Sequence, residues 1–158
     1  MSKYINLLGM LVGSVGIFLG FYFLSDGNSP MALHIVTATT VGVVGILAFI
    51  RHVVFHKSDA LRLGWETDRP DWMFEVGFAN LAFGVIGIIT SFTNWGMIPQ
   101  AVILLGYAIY LFQAAMLHTY RYITDETKSP ARLWRSSIAT FLFAAMMTFF
   151  ALKGLALF

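Results

Sequence analysis

The sequence predicts an all-α integral membrane protein, a single domain over residues 1–158 built as a bundle of five transmembrane helices. Of its 158 residues, 58% are hydrophobic and only 11% are charged, whereas a soluble domain carries about 25% charged residues. The mean hydropathy is correspondingly high, at +0.76. The hydrophobic residues also fall into five runs, each near the length of about 20 residues that crosses a bilayer. The lipid bilayer is therefore the expected partner.

The first run extends from Tyr4 to Leu24. It ends in bulky residues rather than in the small residues of a cleavage site, so we expect it to be retained as a helix. Four glycines recur in it at steps of four, three and four residues: Gly9, Gly13, Gly16 and Gly20. This spacing places them on one helical face, where they allow close approach of another helix, within the chain or from a second copy in a homo-oligomer.

A turn-forming segment, Ser25–Pro30, precedes the second run, Met31–Phe55. At 100° per residue, one stripe about 80° wide on this helix combines small residues with histidines, and we expect it to face protein. Its members are His34, Ala38, Gly45, Ala48, His52 and His56.

The polar segment Lys57–Arg69 then predicts an ordered loop with a short helix at the membrane surface. Ser58 and Asp59 are candidate caps for that helix, because short polar side chains accept hydrogen bonds from the first amides of a helix. Gly64 is expected to end it, with Trp65 at the level of the headgroups.

Three further runs follow: Pro70–Phe92, Ile98–Tyr122 and Arg132–Leu157. Pro70 and Pro99 lie where a helix tolerates proline, in its first turn. A tight reversal at residues 93–97 and a polar loop at 123–131 separate the three helices.

Basic residues are distributed unevenly among the four connections. The first and third have none, whereas the second and fourth, with their edges, hold Arg51, Lys57, Arg62 and Arg69, and Arg121, Lys128, Arg132 and Arg135. Because basic loops stay in the cytoplasm, the N-terminus is predicted to be cytoplasmic and the C-terminus external. The net charge of +2 is too small to indicate nucleic-acid binding, and none is predicted.

This topology brings three polar residues to one depth near the cytoplasmic face. His52 ends the second helix, Glu75 begins the third and His118 precedes the end of the fourth, so their side chains are expected within roughly 5 Å of one height. Two imidazoles and a carboxylate suit a divalent metal such as zinc or ferrous iron. Asn80 and Gln113 are a second predicted pair, a hydrogen bond between the third and fourth helices.

Each of these residues also has an interpretation without a ligand. Glu75 lies close to a helix N-terminus, where the helix dipole favours a carboxylate and either Arg51 or Arg121 could pair with it. Histidines at the interface are often satisfied by water or headgroups. Met73 and Met116, at the same depth, would suit cuprous copper but are typical packing residues.

Three segments resemble a family of small multi-spanning prokaryotic membrane proteins of unknown function. They are HVVFHKSDALRLGW (52–65), FEVGFANLAFGVIGI (74–88) and AAMLHTY (114–120), together about the central half of the chain. The matching positions are His52, Gly64, Trp65, Glu75, Val76, Gly77, Ala79, Asn80, Leu81 and His118. His56 and Arg51 depart from the pattern, which argues against a four-ligand site that uses His56. The resemblance implies a shared membrane fold and a polar triad of interest, and no substrate. The expected location is a prokaryotic inner membrane.

Three functional classes remain open from the sequence. The first is binding or transport, with a metal ion or a titrating proton held at His52, Glu75 and His118. The second is a membrane metalloenzyme acting on a lipid-soluble substrate. The third is a structural or partner-binding module in which the polar residues only fix helix register. Nothing in the sequence decides whether the protein is an enzyme.

Overall fold

The computed structural model describes residues 1–64, 68–124 and 133–156, with the side chain of Arg135 left out. Within these ranges the chain forms six helices and no strand. They are α1 (Ser2–Ser25), α2 (Ser29–Val54), α3 (His56–Leu63), α4 (Asp71–Phe92), α5 (Met97–Thr124) and α6, a π-helical turn Leu133–Ile138 that continues into Ala139–Gly154. All but α3 are long and apolar enough to cross a membrane, which confirms the predicted fold class.

Local chemistry accounts for the helix boundaries. The Asn28 side chain accepts a hydrogen bond from the Met31 amide at 3.1 Å, so it caps α2, and Pro30 occupies the first turn. Gly64 ends α3 in the left-handed region, with φ of 71°, a conformation that only glycine adopts without strain. The predicted end of the surface helix is thus confirmed.

The contact between α2 and α4 depends on glycine. A Cβ atom at Gly45 would lie 2.8 Å from the Asn80 carbonyl oxygen, and one at Gly84 would lie 2.9 Å from the Ile46 amide nitrogen. The two backbones are therefore nearly in contact. Gly42 and Gly87 extend the same seam by about one turn.

The glycine face of α1 is used within the chain. A Cβ at Gly16 would meet the Thr39 side chain of α2, and one at Gly13 or Gly20 would meet a phenylalanine of α6 at 2.9 Å. Both glycine-rich faces thus pack inside one chain. Homo-oligomerisation stays a prediction, but these two faces are already occupied.

The bundle is packed at one end and hollow at the other. Its hydrophobic core lies in the half away from the N-terminus, formed by residues such as Val36, Leu104, Met147 and Phe150, each no more than 2% exposed. The half that contains the N-terminus and α3 holds a cavity instead. In the predicted orientation, the cavity belongs to the cytoplasmic half.

In the described ranges, three stretches of the long helices have π-helical hydrogen bonding, with wider turns than an α-helix: Thr37–Val43, Ile50–Val54 and Leu133–Ile138. At the end of α2, the Phe55 amide donates to the Ile50 carbonyl five residues earlier, at 3.1 Å. Phe55 then leaves helical geometry, with φ of −109°. This break lets α3 turn back across the end of α2.

The role predicted for Ser58 and Asp59 is wrong. They lie inside α3, which begins at His56 and has no side-chain cap. Ser58 instead bonds to Ser2, whose hydroxyl donates to the Ser58 carbonyl at 3.0 Å, and Asp59 is fully buried. Both residues therefore attach α3 to the bundle. The expectations for Trp65, for most of the 123–131 loop and for Lys128 and Arg132 lie outside the described residues.

Candidate functional site: a cationic cavity between the spans

A cavity of about 490 Å³ lies among all five spans and α3. On α1 its lining reaches from Ile5 to Ser14, a depth of about 13 Å at the rise of a helix. Much of the wall is apolar, with Val44, Leu47 and Leu111 among its residues. The polar lining includes His52 and His118, so the structure brings two of the three predicted metal ligands to one cavity.

The charged residues of the lining are held by a buried carboxylate that sequence reasoning missed. Asp59 is fully buried, and three side chains converge on it: Arg62 at 2.8 Å, His52 at 2.9 Å and Arg51 at 3.4 Å. The Arg51 and His52 contacts have ion-pair distances but lie off the directions of good hydrogen bonds. We call Arg51, His52, Asp59 and Arg62 the Asp59 cluster.

Geometry within the Asp59 cluster determines the tautomer of His52. Arg51 Nη2 lies 3.0 Å from His52 Nε2. Because a guanidinium can only donate, Nε2 must accept, which leaves the ring proton on Nδ1, facing Asp59. His52 is thus neutral in this arrangement, and both of its ring nitrogens are engaged.

The two arginines of the cluster differ in their remaining donors. Arg51 also donates from Nη1 to the Asn6 side chain of α1, so all three of its nitrogens have partners. Arg62 uses Nε and Nη2 on a single oxygen of Asp59, at 2.9 and 2.8 Å. Its Nη1 makes no hydrogen bond within the described part of the chain. Arg62 therefore faces the cavity with donors to spare.

Asn80 lies deeper in the cavity and links α4 to α5. Tyr107 donates to the Asn80 side-chain oxygen at 2.6 Å, and the Asn80 amide donates to Tyr110 at 2.9 Å and to the Val76 carbonyl at 2.8 Å. Asn80 therefore bonds to the fourth span, as expected, but through two tyrosines. Gln113 lines the cavity with an exposed side chain and makes no described bond to Asn80.

Glu75 does not reach this cavity. Its side chain is exposed, as are those of Ala82 and Ile86 on the same helical face, while the opposite face with Gly77 and Asn80 is buried. The predicted grouping of Glu75 with His52 and His118 in one site is therefore not seen, because the buried face of α4 is the one that carries the glycines. From the second turn of α4, the carboxylate can extend to the headgroup level.

Comparison with known proteins identifies the family of this chain. The profile of a family of unknown function, DUF6790, matches residues 4–154, nearly the whole chain. The chain belongs to this family. Comparisons with curated proteins and with solved structures found no match. The resemblance to a family of unknown function, expected from the sequence, is confirmed for this DUF6790 protein.

No three histidine, aspartate or glutamate side chains in the described ranges of this DUF6790 protein are arranged to hold a metal ion. A metal at His52 would also displace its contact with either Arg51 or Asp59. Ligation by His52, Glu75 and His118 therefore stays a prediction without geometric support.

Asp59 gives the DUF6790 chain a pH-dependent stability. Burial by itself would raise the pKa of Asp59, but the polar contact with His52 and the charges of Arg51 and Arg62 outweigh burial, and the pKa is lowered. A lowered pKa contributes stability that is complete above the usual aspartate value of about 3.9 and is lost as the pH falls through the folded-state pKa.

We expect the stability difference between wild type and Asp59→Asn to shrink below about pH 4. Thermal unfolding in detergent at several pH values measures it, and a difference independent of pH would contradict it.

Proposed function

We propose that this protein binds one membrane-soluble small molecule in the cavity between its spans. The observation that carries the proposal is the cavity itself, about 490 Å³ in volume. Small-molecule sites are typically about 300–1,000 Å³, mostly apolar, with a few polar groups that orient the ligand. The walls meet this description, with Leu47, Ala114 and Phe143 beside Asn80 and Arg62.

The packed half of the bundle supports binding over conduction of an ion. Leu104, Met147 and Phe150 fill the region beyond the cavity and are at most 2% exposed. A proton relay through His52 is also poorly supported, because one of its nitrogens already accepts from Arg51 and the other faces Asp59. The cavity thus has mostly apolar walls, and its charged groups lie at one end.

Filling the cavity tests the proposal. Phenylalanine at Ala114 would occupy the space that a ligand needs, whereas phenylalanine at Ala145, an exposed position of α6 outside the lining, would not. Trp72 lines the cavity and provides a fluorescent probe once the other three tryptophans are replaced by phenylalanine. In phosphatidylcholine nanodiscs, a dibrominated stearic acid should quench Trp72 saturably, because bromine quenches on contact.

We expect Ala114→Phe to abolish the saturable part of the quenching and Ala145→Phe to retain it. Equal quenching in the two variants would contradict a binding cavity. Metal content, measured on the same purified samples, addresses the alternative: zinc or iron that copurifies and is lost in His118→Ala would favour a metal site instead.

A further inference from the structure

The described residues that line the cavity carry positive charge only. Arg51 and Arg62 line the cavity, and no aspartate or glutamate is found among the described lining residues. Asp59 lies behind the two arginines, fully buried, and offers one negative charge against two positive ones. With His52 neutral, the Asp59 cluster carries a net charge of about +1, placed at the edge of a low-dielectric cavity.

The two arginines would contribute to binding in different ways. Arg51 is clamped by Asn6, His52 and Asp59, so it contributes a fixed positive field. Arg62 is a quarter exposed and keeps Nη1 free of described hydrogen bonds, so it can bind a ligand atom without releasing Asp59. Guanidinium donors are best matched by the oxygens of a carboxylate or phosphate.

The apolar walls of the cavity indicate the chemistry of the part of the ligand that lies away from the arginines. Val44, Leu47 and Leu111 line the part of the cavity that lies deeper in the bundle than the arginines. A free inorganic anion would leave these surfaces unused, and a neutral lipid would leave the cationic end unpaired. An acyl chain with one anionic head satisfies both parts.

We propose that the ligand is a single-chain anionic lipid, whose carboxylate or phosphate head binds Arg62 while its chain fills the apolar part of the cavity. This inference rests on the proposed function, since it names the ligand class of the same cavity. The head would lie at the level of α3, the helix that the sequence places at the membrane surface on the side of the N-terminus. The lipid thus needs to move little in depth when it enters from the leaflet on that side.

The test compares head groups on one chain. Binding of the dibrominated stearic acid and of its uncharged methyl ester is followed through Trp72 in phosphatidylcholine nanodiscs at about pH 8, where a carboxylic acid is ionised. Because an ionised acceptor strengthens the hydrogen bond from a guanidinium, the acid should bind about 10- to 100-fold more tightly than the ester.

Arg62→Gln should remove this preference, and Arg62→Lys should restore part of it. Arg69→Gln is the matched control, because it removes the same charge from an exposed position of the same connection. Inorganic phosphate or acetate should not displace the bound acid. Equal binding of acid and ester, or equal effects of the Arg62 and Arg69 variants, would overturn the inference.

Failure of the proposed function has a different signature. If no cavity binding occurs, neither the acid nor the ester gives quenching that Ala114→Phe removes. If only the ligand class is wrong, Ala114→Phe removes saturable quenching by both compounds to the same extent. Displacement of the acid by phosphate alone would identify a soluble-anion site and overturn the lipid assignment.

Discussion

Asparagine in place of Asp59 is expected to lower the free energy of unfolding by about 3–5 kcal/mol, the usual consequence of removing one partner from a buried ion pair. Arg51 would keep its charge in a partly buried position without the carboxylate that faces it at 3.4 Å. The His52 ring and Arg62 would lose the same partner. Unfolding by sodium dodecyl sulfate titration, followed by circular dichroism, measures the change.

Asp68→Asn is the matched control for this experiment, since it makes the same chemical change at an exposed position of the same connection. We expect it to change stability by no more than about 0.5 kcal/mol. A double variant, Asp59→Asn with Arg51→Gln, should lose less than the sum of the two single losses, because the second change removes the stranded charge. Additive losses, or equal effects of the Asp59 and Asp68 variants, would show that the cluster is not energetically coupled.

Alanine at Gly84 is expected to destabilise the protein by about 1–3 kcal/mol through overpacking between α2 and α4. The new Cβ would lie 2.9 Å from the Ile46 nitrogen and 3.0 Å from the Gly42 oxygen, and backbone atoms cannot rotate away as a side chain can. The two helices would have to separate. The same unfolding titration measures the effect.

Gly106 supplies the comparison for this variant. It also lies within a span, but its Cβ would meet only a Phe83 ring carbon at 3.5 Å, an ordinary contact. Alanine there is expected to be neutral or slightly stabilising, because alanine is the better helix former. If Gly84→Ala were tolerated as well as Gly106→Ala, the close approach of α2 and α4 would be refuted.

Much of the architecture could be predicted from the sequence because the bilayer restricts what an apolar run can do. The five spans, the helix end at Gly64 and the close-packing role of the glycine faces followed from length, backbone conformation and side-chain size. Even the depth of His52 and His118 was predicted, since both line one cavity.

The full set of residues at the site could not be predicted from the sequence. A helical wheel places Glu75 on a face but does not say which face of α4 meets protein, and only the face with Gly84 is buried. A short polar side chain at the start of a helix predicts a cap at Asp59. Its contact with His52 could not be predicted, because it depends on the break at Phe55, which the sequence does not mark. The sequence does carry one signal for this pairing, since Arg51, Asp59 and Arg62 bring opposite charges together within twelve residues at the end of the second span.

Because one half of the bundle is packed and the other holds the cavity, a bound ligand has few routes out of the protein. Beyond the cavity the helices are packed around buried residues such as Met147 and Phe150, so a ligand that enters beside α3 would leave by the same end. If a lipid binds as proposed, this shape suits its storage, its sensing or its transfer within one leaflet. Delivery to the far leaflet would first require the tightest part of the bundle to come apart.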